Sequence, residues 1–206
     1  MSQDSKREEA VIRFFGLEEY SFTNRSNQYE PDAKMVVDEK AITLELKSKP
    51  EKHTVKGKEV KKTDVSTARG FDLGKAKEWK EKTDVFIFSE YEGSIFNGFF
   101  NAHYALTYEQ LHPIIKEKVI EPYLFGRPRR KNSKGYIGIK EYNAKIVPLL
   151  EGAVDEDTLI RLKHNVERGG ALNDPKFPWK YIKNNGTLVK NRKELVAFIR
   201  TNIGDK

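Results

Sequence analysis

Near the N-terminus, apolar positions recur at helical spacing. Val11, Ile12 and Phe15 share one stripe and Gly16 stands where it should stop, so a helix is expected over Ser5 to Leu17. Glu8 precedes those apolar positions by three, four and seven residues and borders the buried stripe, whereas Glu9 falls to its side. Residues 20–31 are polar and predict a loop. From Asp32 to Ser48 the period changes to two: Ile42, Leu44 and Leu46 alternate with Thr43, Glu45 and Lys47, the pattern of a half-buried β-hairpin. Asp38-Glu39-Lys40 is the expected turn, although it lacks the Asn-Gly or Asp-Gly of a strong hairpin signal. Pro50 closes the hairpin, and residues 51–67 predict a long exposed loop or mobile ribbon rich in lysine.

Beyond it, a helix is expected at about 71–82, carrying Leu73, Ala76 and Trp79. Asp84 to Ser89 is almost wholly apolar, as in a strand buried on both faces. The Gly- and aromatic-rich stretch Tyr91 to Asn101 is a candidate for a further strand. Thr107 to Val119 predicts a helix, with Thr107 and Gln110 in capping-box spacing. Further on, the pattern gives a basic loop at 126–135, a strand at Tyr136–Ile139, and a helix at Asp155–Val166 stopped at Gly169-Gly170. Residues 173–186 look like a loop, and a last helix covers about 191–203. The order of elements predicts an α/β (α+β) protein with a central mixed sheet flanked by helices.

With Asp38 and Glu39 at the hairpin tip, Val37 faces Lys40, and continuing that register puts Asp32 opposite Glu45. Directly opposed Cβ atoms lie about 4.5–5.5 Å apart, so the two carboxylates repel unless a cation sits between them. Glu45 and Lys47 are two apart on one strand and share its face. A divalent metal resolves the repulsion: Mg²⁺ takes hard oxygen ligands, often one or two carboxylates with water and phosphate oxygens. It polarises a phosphoryl group and acidifies a bound water. Lys47, one side-chain step along, is placed to orient the attacking water, help deprotonate it, or stabilise developing charge. The plainer alternative is a solvent-facing strand with a surface Glu–Lys pair, worth little to stability.

Charge supports a polyanionic partner. The chain has 206 residues with a formal net charge of +7, and 33% of them are charged. It contains no cysteine, which removes disulfides, thiolate zinc sites and cysteine nucleophiles. The histidines at 53, 103, 112 and 164 have no metal-ligand spacing; His103, near the aromatic run, is expected to be structural, and Trp79 and Trp179 are expected to pack. No segment has a signal-peptide core or approaches the ~20 apolar residues of a membrane helix, so a soluble cytoplasmic protein is expected.

Glu30-Pro31-Asp32, followed after twelve residues by Glu45-Leu46-Lys47, resembles the PD-(D/E)xK nuclease superfamily, whose members of this size are most often type II restriction endonucleases. The resemblance covers roughly residues 5–90, including the order helix, hairpin, helix, buried strand. It implies Asp32, Glu45 and Lys47 as catalytic residues. Asp32, Glu45 and the backbone carbonyl of Leu46 would be the metal ligands, with Glu8 joining them from the first helix and Glu9 as its alternative. It further implies Mg²⁺, with Mn²⁺ as substitute, double-stranded DNA as substrate, a homodimer, and a prokaryotic cytoplasm. The whole chain would be one endonuclease domain, with its catalytic core at about 5–105 and residues from about 106 to 206 serving DNA recognition and/or dimerisation. Lys49, Lys61, Lys62 and Arg69 would neutralise phosphates. Arg127, Arg129, Arg130, Lys131, Asn132 and Lys134 would form a base-reading loop or a phosphate clamp. A structure-specific repair or junction nuclease and a non-catalytic basic DNA-binding protein are the two alternatives.

Overall fold

Alternation in Ala33–Val37 and Lys40–Pro50 leaves one row of apolar side chains per strand, and these rows need a cover. In the computed structural model, which describes residues 3–19, 30–66, 79–93, 96–117 and 176–204, helices supply it. The elements are α1 (Gln3–Phe15), β1 (Glu18–Glu19), β2 (Ala33–Val37), β3 (Lys40–Pro50), β4 (Lys52–Val55), β5 (Lys58–Lys61), β6 (Asp64–Ser66), β7 (Val85–Tyr91), β8 (Phe100–Leu106), α2 (Tyr108–Ile115), β9 (Lys176–Pro178), α3 (Trp179–Asn185), β10 (Thr187–Leu188) and α4 (Arg192–Ile203). Among the described residues, the main sheet has six strands in the order β1-β2-β3-β7-β8-β10, with β3 and β7 parallel and the other pairs antiparallel, so the sheet is mixed.

The β2–β3 register is as expected, with Val37 opposite Lys40 and Ala33 opposite Leu44. One face of the sheet offers Met35, Ile42, Leu44, Leu46, Val85 and Ile87, and the apolar stripes of α1 (Val11, Phe15) and α4 (Leu195, Phe198, Ile199, Ile203) close over it. The parallel register of β3 on β7 is keyed at its start. Asp84 Oδ2 accepts from Thr43 N and Thr43 Oγ1, each at 2.9 Å, and Asp84 N donates to Thr43 O at 3.1 Å. This key sets Glu45 beside Phe86 and Lys47 beside Phe88.

Helix ends follow local chemistry. Gly16 takes φ 58° and closes α1 in a Schellman motif, with Leu17 N on Ile12 O (2.9 Å) and Gly16 N on Arg13 O (3.2 Å). Thr107 and Gln110 form the expected reciprocal capping box: Thr107 N donates to Gln110 Oε1 (2.8 Å) and Gln110 N to Thr107 Oγ1 (3.3 Å). Asn191 caps α4 by accepting from Glu194 N at 3.0 Å.

Of the two forms expected for the stretch after Pro50, loop or ribbon, residues 52–61 take the ribbon, with β4 and β5 paired antiparallel. Other expectations are corrected. Within the stretch 173–186, expected to be loop, the described residues form β9 and α3, whose buried Phe177, Trp179 and Ile182 give them a packing role that Pro and Asn content hid. The expected helix at about 71–82 is helical at 79–82, and its earlier part lies outside the described residues, as do the strand at 136–139 and the helix at 155–166.

The chain divides into two compact units: Met1–Val65 with Lys82–Gln110 and Phe177–Lys206, and Ser66–Glu81 with Leu111–Lys176. The C-terminal residues from Phe177 return to the first unit, because the sheet face needs the stripe of α4. Among the described residues, no helix is long and apolar enough to cross a membrane.

Candidate active site

Asp32 sits just before β2, past the last in-register pair Ala33–Leu44, and its N–H donates to Leu44 O at 3.0 Å, which holds the residue against β3. Its Oδ2 accepts from Leu46 N at 2.7 Å. Glu45 and Lys47 project from the face of β3 opposite to the α1–α4 core, as the alternation predicts. Glu45 is buried, 1% exposed, although it is a carboxylate.

Lys47 supplies the compensating charge. Its Nζ lies 2.7 Å from Glu45 Oε1, 3.0 Å from Leu46 O and 3.4 Å from Asp32 Oδ2. Three oxygens on one hairpin thus converge on a single cationic nitrogen. Burial alone would lower the lysine pKa, but Asp32, then Glu45, with Glu8 adding to them, outweigh it and hold the ammonium well above its ordinary range. Lys47 is thereby a fixed positive charge in this arrangement.

Glu8 acts on Lys47 through space from α1, whereas Glu9 turns to an exposed ion pair with Arg13 on its own helix. Among the described residues, no group of three or more histidine or carboxylate side chains is arranged to hold a metal ion. The donor set that does converge is two carboxylates and a main-chain carbonyl, all hard oxygens, which suits Mg²⁺ or Mn²⁺.

The basic residues are not all where phosphate contact requires. Lys49 continues the Glu45–Lys47 alternation and is buried, 1% exposed. Its ammonium pairs with Glu90, donates to Lys62 O at 3.0 Å and Pro50 O at 3.3 Å, and lies 4.7 Å from the ring centre of Trp179. Burial depresses its pKa, and Glu90 opposes the shift. Lys49 is thus an internal tie and not a surface cation. Lys61 is exposed; Lys62 is partly buried and pairs with Asp64 at 2.9 Å. Arg69, Arg127, Arg129, Arg130, Lys131, Asn132 and Lys134 lie outside the described residues.

Two features escaped the sequence pattern. The Lys49–Glu90 pair could have been found by carrying the period of two past Lys47, since Lys49 then shares the site's face. The Thr43–Asp84 key carries no local signal, because the two residues meet only once β3 and β7 are parallel. His103 is structural, as expected: it is buried, its Nδ1 lies 2.7 Å from Ser89 Oγ, and the rings of Phe14, Phe15 and Phe100 surround it. Trp79 and Trp179 are both buried. No family model matches this chain, and no curated protein matches it.

Proposed function

We propose that this chain is a Mg²⁺-dependent endonuclease that hydrolyses phosphodiester bonds of double-stranded DNA, of the type II restriction endonuclease kind within the PD-(D/E)xK superfamily. The observation that carries this is the convergence of Asp32 Oδ2, Glu45 Oε1 and Leu46 O on the Lys47 ammonium, all within 3.4 Å. A buried carboxylate beside a second one is costly unless charge is supplied. A surface Glu–Lys pair would not be buried this far, so the structural alternative fits poorly. The order α1, hairpin, β7 parallel to β3 supports a restriction-endonuclease-like core. The net charge of +7 supports a nucleic-acid substrate.

In this scheme Asp32, Glu45 and the Leu46 carbonyl would hold Mg²⁺, which when bound polarises the scissile phosphate and acidifies a water. Lys47 holds a positive charge beside the phosphate as negative charge accumulates on its oxygens, the form of electrostatic stabilisation that is worth most in a site shielded from water. Glu8 strengthens the field that keeps that lysine charged. Asp32 also fixes the strand by its bond to Leu46 N, so its carboxylate is oriented before substrate arrives. A homodimer is the simplest way for one site per chain to cut both strands.

The test is incubation of purified protein with several plasmid and phage DNAs, in Mg²⁺, in Mn²⁺ and in EDTA, read on a gel. Discrete fragments that depend on the metal are expected. Uncut DNA in every condition, from protein that nonetheless binds DNA, rejects the nuclease in favour of a binding protein. Cleavage confined to branched DNA points to a junction enzyme.

A further inference from the structure

The β4–β5 ribbon leaves the candidate active-site strand within a few residues of Lys47, yet nothing in the mechanism above uses it. Every residue of β5 is exposed, and of β4 all but His53, which is half-buried. A two-stranded ribbon with no third strand or helix on it is marginal in water. This one is nevertheless anchored at its base: Glu51 N donates to Tyr91 O at 2.7 Å, Lys62 N to Glu51 O at 2.7 Å, and the buried Lys49 ammonium to Lys62 O at 3.0 Å. The base is clamped to the end of β7, and the tip at Lys56-Gly57, with φ 49° and 80°, turns tightly in the left-handed region.

Its charge pattern is unfavourable in the free protein. Lys52 directly opposes Lys61 across the ribbon, and opposed like charges destabilise a strand pair. Lys56 and Lys58 add two more exposed cations at and beside the tip, against the single acid Glu59. Val55 and Val60 stay 44% and 40% exposed, on the face shared with His53 and Lys58. Opposed cations on one face, and a lysine beside two exposed valines on the other, fit a surface that is itself anionic and carries apolar edges.

We infer that the β4–β5 ribbon enters the major groove of duplex DNA, with Lys52 and Lys61 on the phosphates and the Lys56–Lys58 tip against base edges. A two-stranded ribbon fits the B-form major groove, where guanine offers N7 and O6 to lysine and thymine offers a methyl to valine. The deep, narrow major groove of A-form RNA excludes it. This rests on the nuclease proposal only for its choice of DNA. It goes beyond phosphate neutralisation by naming the groove and separating the ribbon's base from its tip.

The experiment compares the full chain with a variant carrying Lys52→Ala, Lys56→Ala, Lys58→Ala and Lys61→Ala, all at exposed positions whose loss leaves the core untouched. Binding to a 20-base-pair DNA duplex and to a duplex RNA of the same sequence is measured by anisotropy against salt, with Ca²⁺ in place of Mg²⁺. Dimethyl sulfate then reads guanine N7 in the major groove and adenine N3 in the minor groove of the DNA complex. The expected results are a loss of DNA affinity of about tenfold or more and a salt slope shallower by roughly one unit per phosphate contact removed. Protection of guanine N7 should vanish in the variant, with weak RNA binding throughout. Unchanged affinity, protection only at adenine N3, or an equal loss on duplex RNA overturns the inference. Mg²⁺-dependent cleavage by a chain whose ribbon proves dispensable leaves the nuclease proposal standing. Ribbon-dependent N7 protection without any cleavage does the reverse.

Discussion

Lys47 stands between two carboxylates that the hairpin register places on one face, and its charge is what lets Glu45 be buried. Its protonated form is the one the fold stabilises. While the carboxylates are ionised, the Lys47 contribution is therefore fully present below the ordinary lysine range, and it is lost as pH rises through the raised folded value. On the proposed nuclease function, Lys47→Ala should lower cleavage by about a hundredfold or more. In EDTA it should cost about 3 kcal/mol of stability, because two acids then face each other uncompensated. Adding Mg²⁺ or Mn²⁺ should restore part of that stability, as a ligand of the native state does. Thermal melts of Lys47→Ala that ignore divalent ions would remove Asp32 and Glu45 from the role of metal ligands. His103 gives the opposite pH dependence. Burial among aromatic rings lowers its pKa from 6.5 to about 4, so the unfolded chain takes up a proton that the folded one refuses. Stability should fall as pH drops from about 6.5 toward 4, by up to about 3 kcal/mol from this group. Urea titrations across that range should show the slope in the native protein and a flatter one in His103→Phe.

At the scale of elements, ends and turns are held by partners remote in sequence. The α1 C-terminus is closed by Gly16 and again by Arg192 on α4, whose Nη1 donates to the carbonyls of Phe15 (2.9 Å) and Gly16. A Cβ on Gly16 would meet Arg192 Nη1 at 3.1 Å, and the left-handed backbone there costs a non-glycine residue about 1 kcal/mol or more. Gly16→Ala should therefore destabilise by about 1–2 kcal/mol, read as a lower urea midpoint with unchanged slope. The β2–β3 turn is a second case. Asp38 and Glu39 have φ 49° and 67° with no glycine between them. Arg200 on α4 holds Asp38 through both carboxylate oxygens at 2.7 and 2.8 Å, and this ion pair lowers the Asp38 pKa. The missing Asn-Gly signal is explained by this tie: a helix more than a hundred residues away stabilises a turn that its own residues disfavour.

For the whole molecule, α4 is what closes the core, so its apolar stripe bears on the site without touching it. Phe198, 4% exposed, should cost about 3–4 kcal/mol as Phe198→Ala. That is a large part of the 5–15 kcal/mol typical of a domain. Chemical denaturation should show the loss, while cleavage per folded molecule stays near that of the parent. Much of this architecture was legible in the chain. Period-two alternation and the Asp38–Glu39 tip determined the hairpin register from Val37–Lys40 to Ala33–Leu44 and put Glu45 and Lys47 on one face, because side-chain direction in a strand is a local property of its pleat. Helix stops and the Thr107–Gln110 box were local for the same reason. What only the tertiary structure decided were the contacts that no window of sequence contains. These are the Thr43–Asp84 key that sets β7 against β3 and the return of α4 to the N-terminal core. They include also the burial of Lys49, a lysine that composition assigns to the surface and that Glu90, two carbonyls and the Trp179 ring make stable inside. Each depends on chain segments distant in sequence meeting in space, and burial and charge pairing are properties of that meeting.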